Sequence, residues 1–89
     1  MLRITKTHES PCGVHLLLEG KVAEQWAALL DGVCRAHIRD KKTVQLDCAN
    51  VDFVDASGVD VLRNFPRRQV KLVRAPNFIT QLLHNGDTP

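Results

Sequence analysis

Eighty-nine residues, 44% hydrophobic and 25% charged, are enough for one globular domain and leave no room for a second core. Twelve basic residues against ten acidic ones give a net charge of +2, too balanced for a protein that holds nucleic acid through its phosphates. No apolar run approaches the roughly 18 residues that a membrane helix needs, and the polar turn after Met1-Leu2-Arg3 does not fit a signal peptide, so neither membrane insertion nor export is expected. Leu2 and Ile4 alternate with Arg3 and Thr5, which predicts a short strand. Ser10, Pro11 and Gly13 predict a turn over residues 8–13. A second strand follows from Val14 to Glu19, with Val14, Leu16 and Leu18 on one face. The two strands are expected to form a hairpin whose loop is longer than the tight two-residue type.

Gly20 ends this pattern, and from Lys21 to about Ile38 the period becomes helical. Val22, Trp26, Leu29, Leu30 and Val33 form the expected apolar stripe, with Glu24, Gln25, Asp31 and Arg35 outside it. Trp26, the only tryptophan, is predicted in the helix–sheet core, where truncation to Ala costs about 3–5 kcal/mol. Gly32 inside the helix is expected to mark close packing or an early end. After the polar loop Arg39-Asp40-Lys41-Lys42, a third strand is predicted from Thr43 to Asp47 or Cys48. It places Val44, Leu46 and Cys48 on one face and Gln45 and Asp47 on the other.

The stretch Val51-Asp52-Phe53-Val54-Asp55-Ala56-Ser57-Gly58 joins that strand to a second helix, running from Ala56 to Asn64 or Phe65 and stopped by Pro66. Asp55 is an N-cap residue type, whose carboxylate accepts an amide two or three residues on. Ser57 and Gly58 then fall in the first turn, where amides lack partners and the helix end is positive. Gln69 to Val73 reads as a fourth strand. Pro76 opens a last helix with the stripe Phe78, Ile79, Leu82 and Leu83, closed by Asn85-Gly86 in the manner of an αL cap, before the tail Asp87-Thr88-Pro89.

The order β-β-α-β-α-β-α defines an α/β class. Strands separated by helices pair in parallel through right-handed crossovers. The face carrying Arg3, Thr5, His15, Glu19, Gln45, Asp47 and Lys71 is too polar to lie under a second helical layer. A mixed four-stranded sheet of order 1-2-3-4, with helices mainly on one face, is therefore expected. Arg63, Arg67, Arg68, Lys71 and Arg74 crowd one segment, either as a solvated basic edge or as a docking surface for an acidic partner. Cys12, Cys34 and Cys48 contain no C-x-x-C and read as free thiols in a reducing cytoplasm. His8, His15, His37 and His84 lack metal-ligand spacing, so no metal and no cofactor is expected.

These residues resemble the STAS domain, the fold of bacterial anti-sigma-factor antagonists, also found in sulfate transporters. The likeness runs from about Val14 to Leu83, and its specific part is Val44 to Val59, similar to a strand–loop–helix signature whose loop ends in Asp-Ser-Ser-Gly or a close variant. Leu18-Glu19-Gly20-Lys21-Val22, and Val70-Lys71-Leu72-Val73 followed by Pro76, add to it. The resemblance implies one STAS-like domain over residues 1–89. It implies a protein-binding regulator whose Ser57 is phosphorylated by a partner serine kinase that is also the anti-sigma factor. The unphosphorylated form would bind that partner and free the sigma factor. Asp55, Ala56, Ser57, Gly58, Val59 and Leu62 would form the partner-binding surface. The family's fold usually continues to a fifth strand and a fourth helix, and this chain stops short of both. That keeps open a constitutive subunit of the same fold, docked on a transporter ATPase or another regulator. It also remains open that Ser57 is only a small polar residue in a helix cap. An enzyme is not expected: Asp55-Ala56-Ser57-Gly58-Val59 lacks the first glycine of G-x-S-x-G, and no histidine is placed to activate Ser57.

Overall fold

The computed structural model describes residues 1–85. The αL cap expected at Asn85-Gly86 and the tail beyond it lie outside the described residues. The elements are β1 (Leu2–Ser10), β2 (Gly13–Val22), α1 (Gln25–Arg39), β3 (Thr43–Val54), α2 (Ala56–Asn64), β4 (Val70–Val73) and α3 (Asn77–Asn85). They build one four-stranded sheet of order β1-β2-β3-β4. β1 runs antiparallel to β2, while β2–β3 and β3–β4 are parallel. The expected mixed sheet and its strand order are what the protein forms.

Alternation divides the sheet into a dry and a wet face. Val14, Leu16, Leu18, Val44, Leu46 and Val70 are buried against the helices, together with Leu30, Leu62 and Ile79. On the reverse face Arg3, Thr5, His15 and Lys71 are exposed, and Leu17, Glu19, Gln45, Asp47 and Val73 are half-buried. One helical layer on one face agrees with the strand polarity.

Several local expectations are corrected. The hairpin is tight: Ser10 stands opposite Gly13, and only Pro11 and Cys12 lie between the strands. Pro11 supplies the φ of a first turn position. A register shift between Lys6 and His8 lets β1 follow β2 as far as the turn. Gly20 does not end β2. It takes φ +107 inside the strand, where a Cβ would lie 2.4 Å from the Met1 carbonyl oxygen, and the neighbouring Lys21 amide donates to that same oxygen at 2.9 Å. β2 therefore runs on to Val22, and α1 begins at Gln25 rather than Lys21.

The phase of α1 also differs from the expected stripe. Its fully buried residues are Ala27, Leu30 and Cys34. Trp26 and Val33 are half-buried at the margin, and Leu29 is 48% exposed. Small side chains at Ala27 and Cys34, on either side of the buried Leu30, let the helix lie close on the sheet, which leaves Trp26 and Val33 to flank the contact. Trp26 thus packs against the core without being enclosed by it. Gly32 marks neither close packing nor an end: nothing lies within 4 Å of where its Cβ would stand, and the helix continues to Arg39.

β3 is twelve residues long and absorbs most of the stretch expected as a loop. Its pairing with β2 shifts register twice, between Leu17 and Glu19 and between Gly20 and Lys21. The buried residues of its second half, Cys48, Val51 and Val54, are consequently three apart, a spacing that conceals a strand from any period-two reading.

Candidate functional site

The end of β3 delivers the chain into α2 through Asp55, whose backbone is extended while the helix begins at Ala56. One carboxylate oxygen of Asp55 accepts the Gly58 amide at 2.8 Å, which is the expected N-cap bond. The other accepts the Glu24 amide at 3.0 Å. Glu24 precedes α1 with φ 54 and offers that helix no side-chain cap of its own. A single carboxylate thus fastens the entrances of two helices together. The Asp55 amide in turn donates to the Val22 carbonyl at 3.2 Å, which ties the cap to the end of β2.

Gly58 explains why the first turn of α2 can sit so low. A Cβ there would lie 2.1 Å from the Val22 carbonyl oxygen and 2.8 Å from Cγ1 of Val54. The helix start is pressed onto the ends of two parallel strands, and only a residue without a side chain fits between them.

The six residues expected to form a partner surface are brought together but are not equivalent. Ala56 and Ser57 are exposed, Asp55 and Val59 are half-buried, and Gly58 and Leu62 are buried. The accessible part of this set is centred on Ala56 and Ser57; Gly58 and Leu62 hold the helix against the sheet. Asp52, Asp60 and Glu24 are exposed around it and make the rim acidic. Lys21 partly offsets this, with Nζ 3.5 Å from Asp52 and 5.6 Å from the centre of the Phe53 ring.

Beside this turn lies a feature that sequence reasoning missed. Phe53 is 47% exposed and Phe78, expected in the buried stripe of α3, is 37% exposed. With Asp52, Val54, Gln81 and Leu82 they line a groove of about 360 Å³. Two exposed phenylalanines on one groove are the kind of anchor that protein interfaces concentrate. The available signal was Phe53 in the run Asp52-Phe53-Val54, where Val54 takes the core position.

Among the described residues, no group of three or more His, Cys, Asp or Glu side chains could hold a metal ion, and no helix is long and apolar enough to cross a membrane. Burial pushes the Cys34 and Cys48 thiols up to about 12, while Cys12 is exposed in the hairpin turn.

A mixed four-stranded sheet, one helical layer, and a strand–cap–helix turn at the carboxyl end of β3 define a STAS-type fold. No family model matches the sequence, and no curated protein matches it. Among solved structures the chain is similar to that described as the Structure of the Anti-Sigma Factor Antagonist SpoIIAA in its Unphosphorylated Form, with a TM-score of 0.55 and 13% sequence identity. The match covers 96% of this chain and 66% of that one, so this chain spans about two thirds of its length. At this identity the likeness is one of fold, and it agrees with the fold the strand–loop–helix residues imply.

Proposed function

We propose that this chain is a regulatory protein-binding module, acting without a cofactor in the cytoplasm, that docks a partner through the surface around the start of α2. The partner is a serine kinase that is also an anti-sigma factor, and phosphorylation of Ser57 releases it. The observation that carries this reading is the exposure of Ser57 directly beside Gly58, which has no space for a side chain. The hydroxyl is thereby offered from a fixed backbone at the positive end of a helix. The similarity to a solved anti-sigma-factor antagonist supports the class of function.

A phosphate on Ser57 would add about −1.5 to −2 charges at neutral pH. The Gly58 amide is already taken by Asp55, so the phosphate would stay outside the cap and deepen an acidic rim. Its effect would fall on the docking surface rather than on the fold. A second reading, a constitutive docking subunit for a transporter ATPase, is favoured by the Phe53–Phe78 groove, which can bind without any modification.

Capture of partners from the source cell, by wild type and by Ser57→Ala and Ser57→Asp, separates the two. Under the switch reading Ser57→Asp folds and loses its partner, Ser57→Ala folds and keeps it, and the captured protein phosphorylates Ser57 with ATP. Equal capture by all three leaves the constitutive subunit as the better account.

A further inference from the structure

We propose that His8 and His15 form a binding site for a tetrahedral divalent metal ion of the zinc type, on the wet face of the β1–β2 hairpin. No motif spacing joins the two residues in the sequence. The fold joins them: His8 stands directly opposite His15 in the antiparallel pair, and their ring centres lie 5.2 Å apart with the planes tilted by 52°.

The juxtaposition depends on the irregularity in β1. Up to Lys6, which faces Leu16, the two strands pair without interruption. Continued in that register, Thr7 would face His15, and His8 would face the buried Val14 on the dry side. The shift between Lys6 and His8 admits one extra residue, which carries His8 to His15 and to the wet face. Thr7 is the residue left unpaired, and its hydroxyl donates to the His15 carbonyl at 3.4 Å, which ties the bulge to the opposite strand. Both imidazoles are exposed, and among the described residues neither has a hydrogen-bond or ion-pair partner. Their nitrogens are therefore open to a ligand.

The separation of the rings selects the ion. With a nitrogen–zinc bond of about 2.0–2.1 Å and about 1.1 Å from that nitrogen to the ring centre, each centre stands about 3.2 Å from the metal. Two such centres are about 5.2 Å apart at the tetrahedral angle, about 4.5 Å at the right angle of an octahedron, and about 6.4 Å on a linear ion. The observed 5.2 Å is the tetrahedral value. Imidazole nitrogen is a ligand for zinc and its neighbours in the first transition row. Calcium and magnesium need a set of oxygen ligands, and among the described residues no cluster of three or more His, Cys, Asp or Glu supplies one. Two histidines leave two positions of the tetrahedron to water, so the site is an open one. The ion would clip β1, an edge strand, to its neighbour. Along β2, His15 is about 23 Å from Val22, the residue that anchors the Asp55 cap. The metal site is thus remote from Ser57 and does not rest on the docking role assigned to that surface.

The probe is zinc chloride, titrated into the reduced protein in competition with a chromogenic chelator. One ion per chain is expected. Loss of even an outer partner of a metal ligand weakens binding about tenfold or more, so His8→Gln and His15→Gln should each do at least that, with their folds checked by circular dichroism. Cys12→Ser, which removes the exposed thiol of the hairpin turn, should leave the affinity unchanged. Nitrogen–proton spectra of the imidazoles should show His8 and His15 moving on addition of zinc, with His37 and His84 in place. Zinc should also raise the thermal midpoint of the wild type and of neither histidine variant. Absence of binding, unchanged affinity in both histidine variants, loss of binding in Cys12→Ser, or movement confined to His37 or His84 would each overturn the proposal. So would one ion per two chains, which would complete the tetrahedron from a second copy.

Discussion

A Cβ at Gly58 would stand 2.1 Å from the carbonyl oxygen of Val22. Real Cβ atoms do not approach backbone oxygen so closely, so any other residue at this position forces α2 away from the sheet. Gly58→Ala is expected to destabilise the protein by about 1–3 kcal/mol, the usual penalty for overpacking. Gly32→Ala has the opposite sign, because open space surrounds that position in α1 and alanine is the better helix former. A gain of about 0.4–1 kcal/mol is expected there. Urea midpoints at unchanged m-value measure both; equal effects of the two substitutions would contradict the close seat at Gly58.

Asp55 bonds the Gly58 amide and the Glu24 amide with different oxygens. Asp55→Ala should cost about 1–3 kcal/mol, since a charged acceptor is lost from two amides at once. Asp55→Ser, too short to span both, should recover the α2 cap but not the bond to Glu24, and so fall between wild type and alanine. Equal stability of the Ser and Asp forms would mean that the link to Glu24 contributes nothing.

The three cysteines should differ sharply in reactivity. Cys12 is exposed, whereas Cys34 and Cys48 are buried with thiols pushed up to about 12. A thiolate is the nucleophile, so burial blocks both access and ionisation. A colorimetric disulfide reagent at neutral pH should titrate one thiol in the native protein and three in urea. Rapid reaction of all three without denaturant would contradict this packing.

Glu9 accepts from both Lys42 and Lys6, and these bonds hold its carboxyl down at about 2 instead of the ordinary 4.5. A carboxyl depressed on folding contributes stability that is present above its unfolded value and lost as pH falls through its folded one. The window here is from about 4.5 down to about 2. A carboxyl carbon titration at low salt should place the Glu9 midpoint near the bottom of that window, and Lys42→Met should raise it. Glu9 and Lys6 being exposed, added salt should raise it too. An unshifted midpoint in the wild type would show that the two lysines do not hold Glu9 in solution.

Sequence chemistry was most informative where neighbours in the chain decide the structure. The Asp55 cap on Gly58, the stop of α2 before Pro66, and the alternation of Val14, Leu16 and Leu18 are local matters, and all three appear as expected. Contacts between distant segments were not legible. No local signal announces that Asp55 also reaches Glu24, 31 residues away. The register slips of β2 against β3 broke the alternation that would have revealed the rest of β3. In α1 the large apolar residues Trp26 and Leu29 drew the stripe toward themselves, although the buried contact is made by Ala27, Leu30 and Cys34, of which only Leu30 stood in the expected stripe. For the candidate site, the exposed serine followed from its position after the cap, while the apposition of Phe53 with Phe78 requires β3 and α3 to be placed first.

The seat of α2 has a consequence for the order in which the molecule assembles. It is made from the last residue of β2, Val22, and the last of β3, Val54, which pair with each other at the far end of the parallel ladder. The β1–β2 hairpin closes through a two-residue turn and can form within microseconds. The parallel pair must first close the long crossover that contains α1, and such non-local pairing is slow. The surface around Ser57 should accordingly be among the last parts of the protein to exist. Pulse-labelled hydrogen exchange during refolding should find the Gly58 amide protected after the amides of the hairpin. A partner that reads this surface would then engage only chains that have finished folding, and incomplete ones would pass unrecognised.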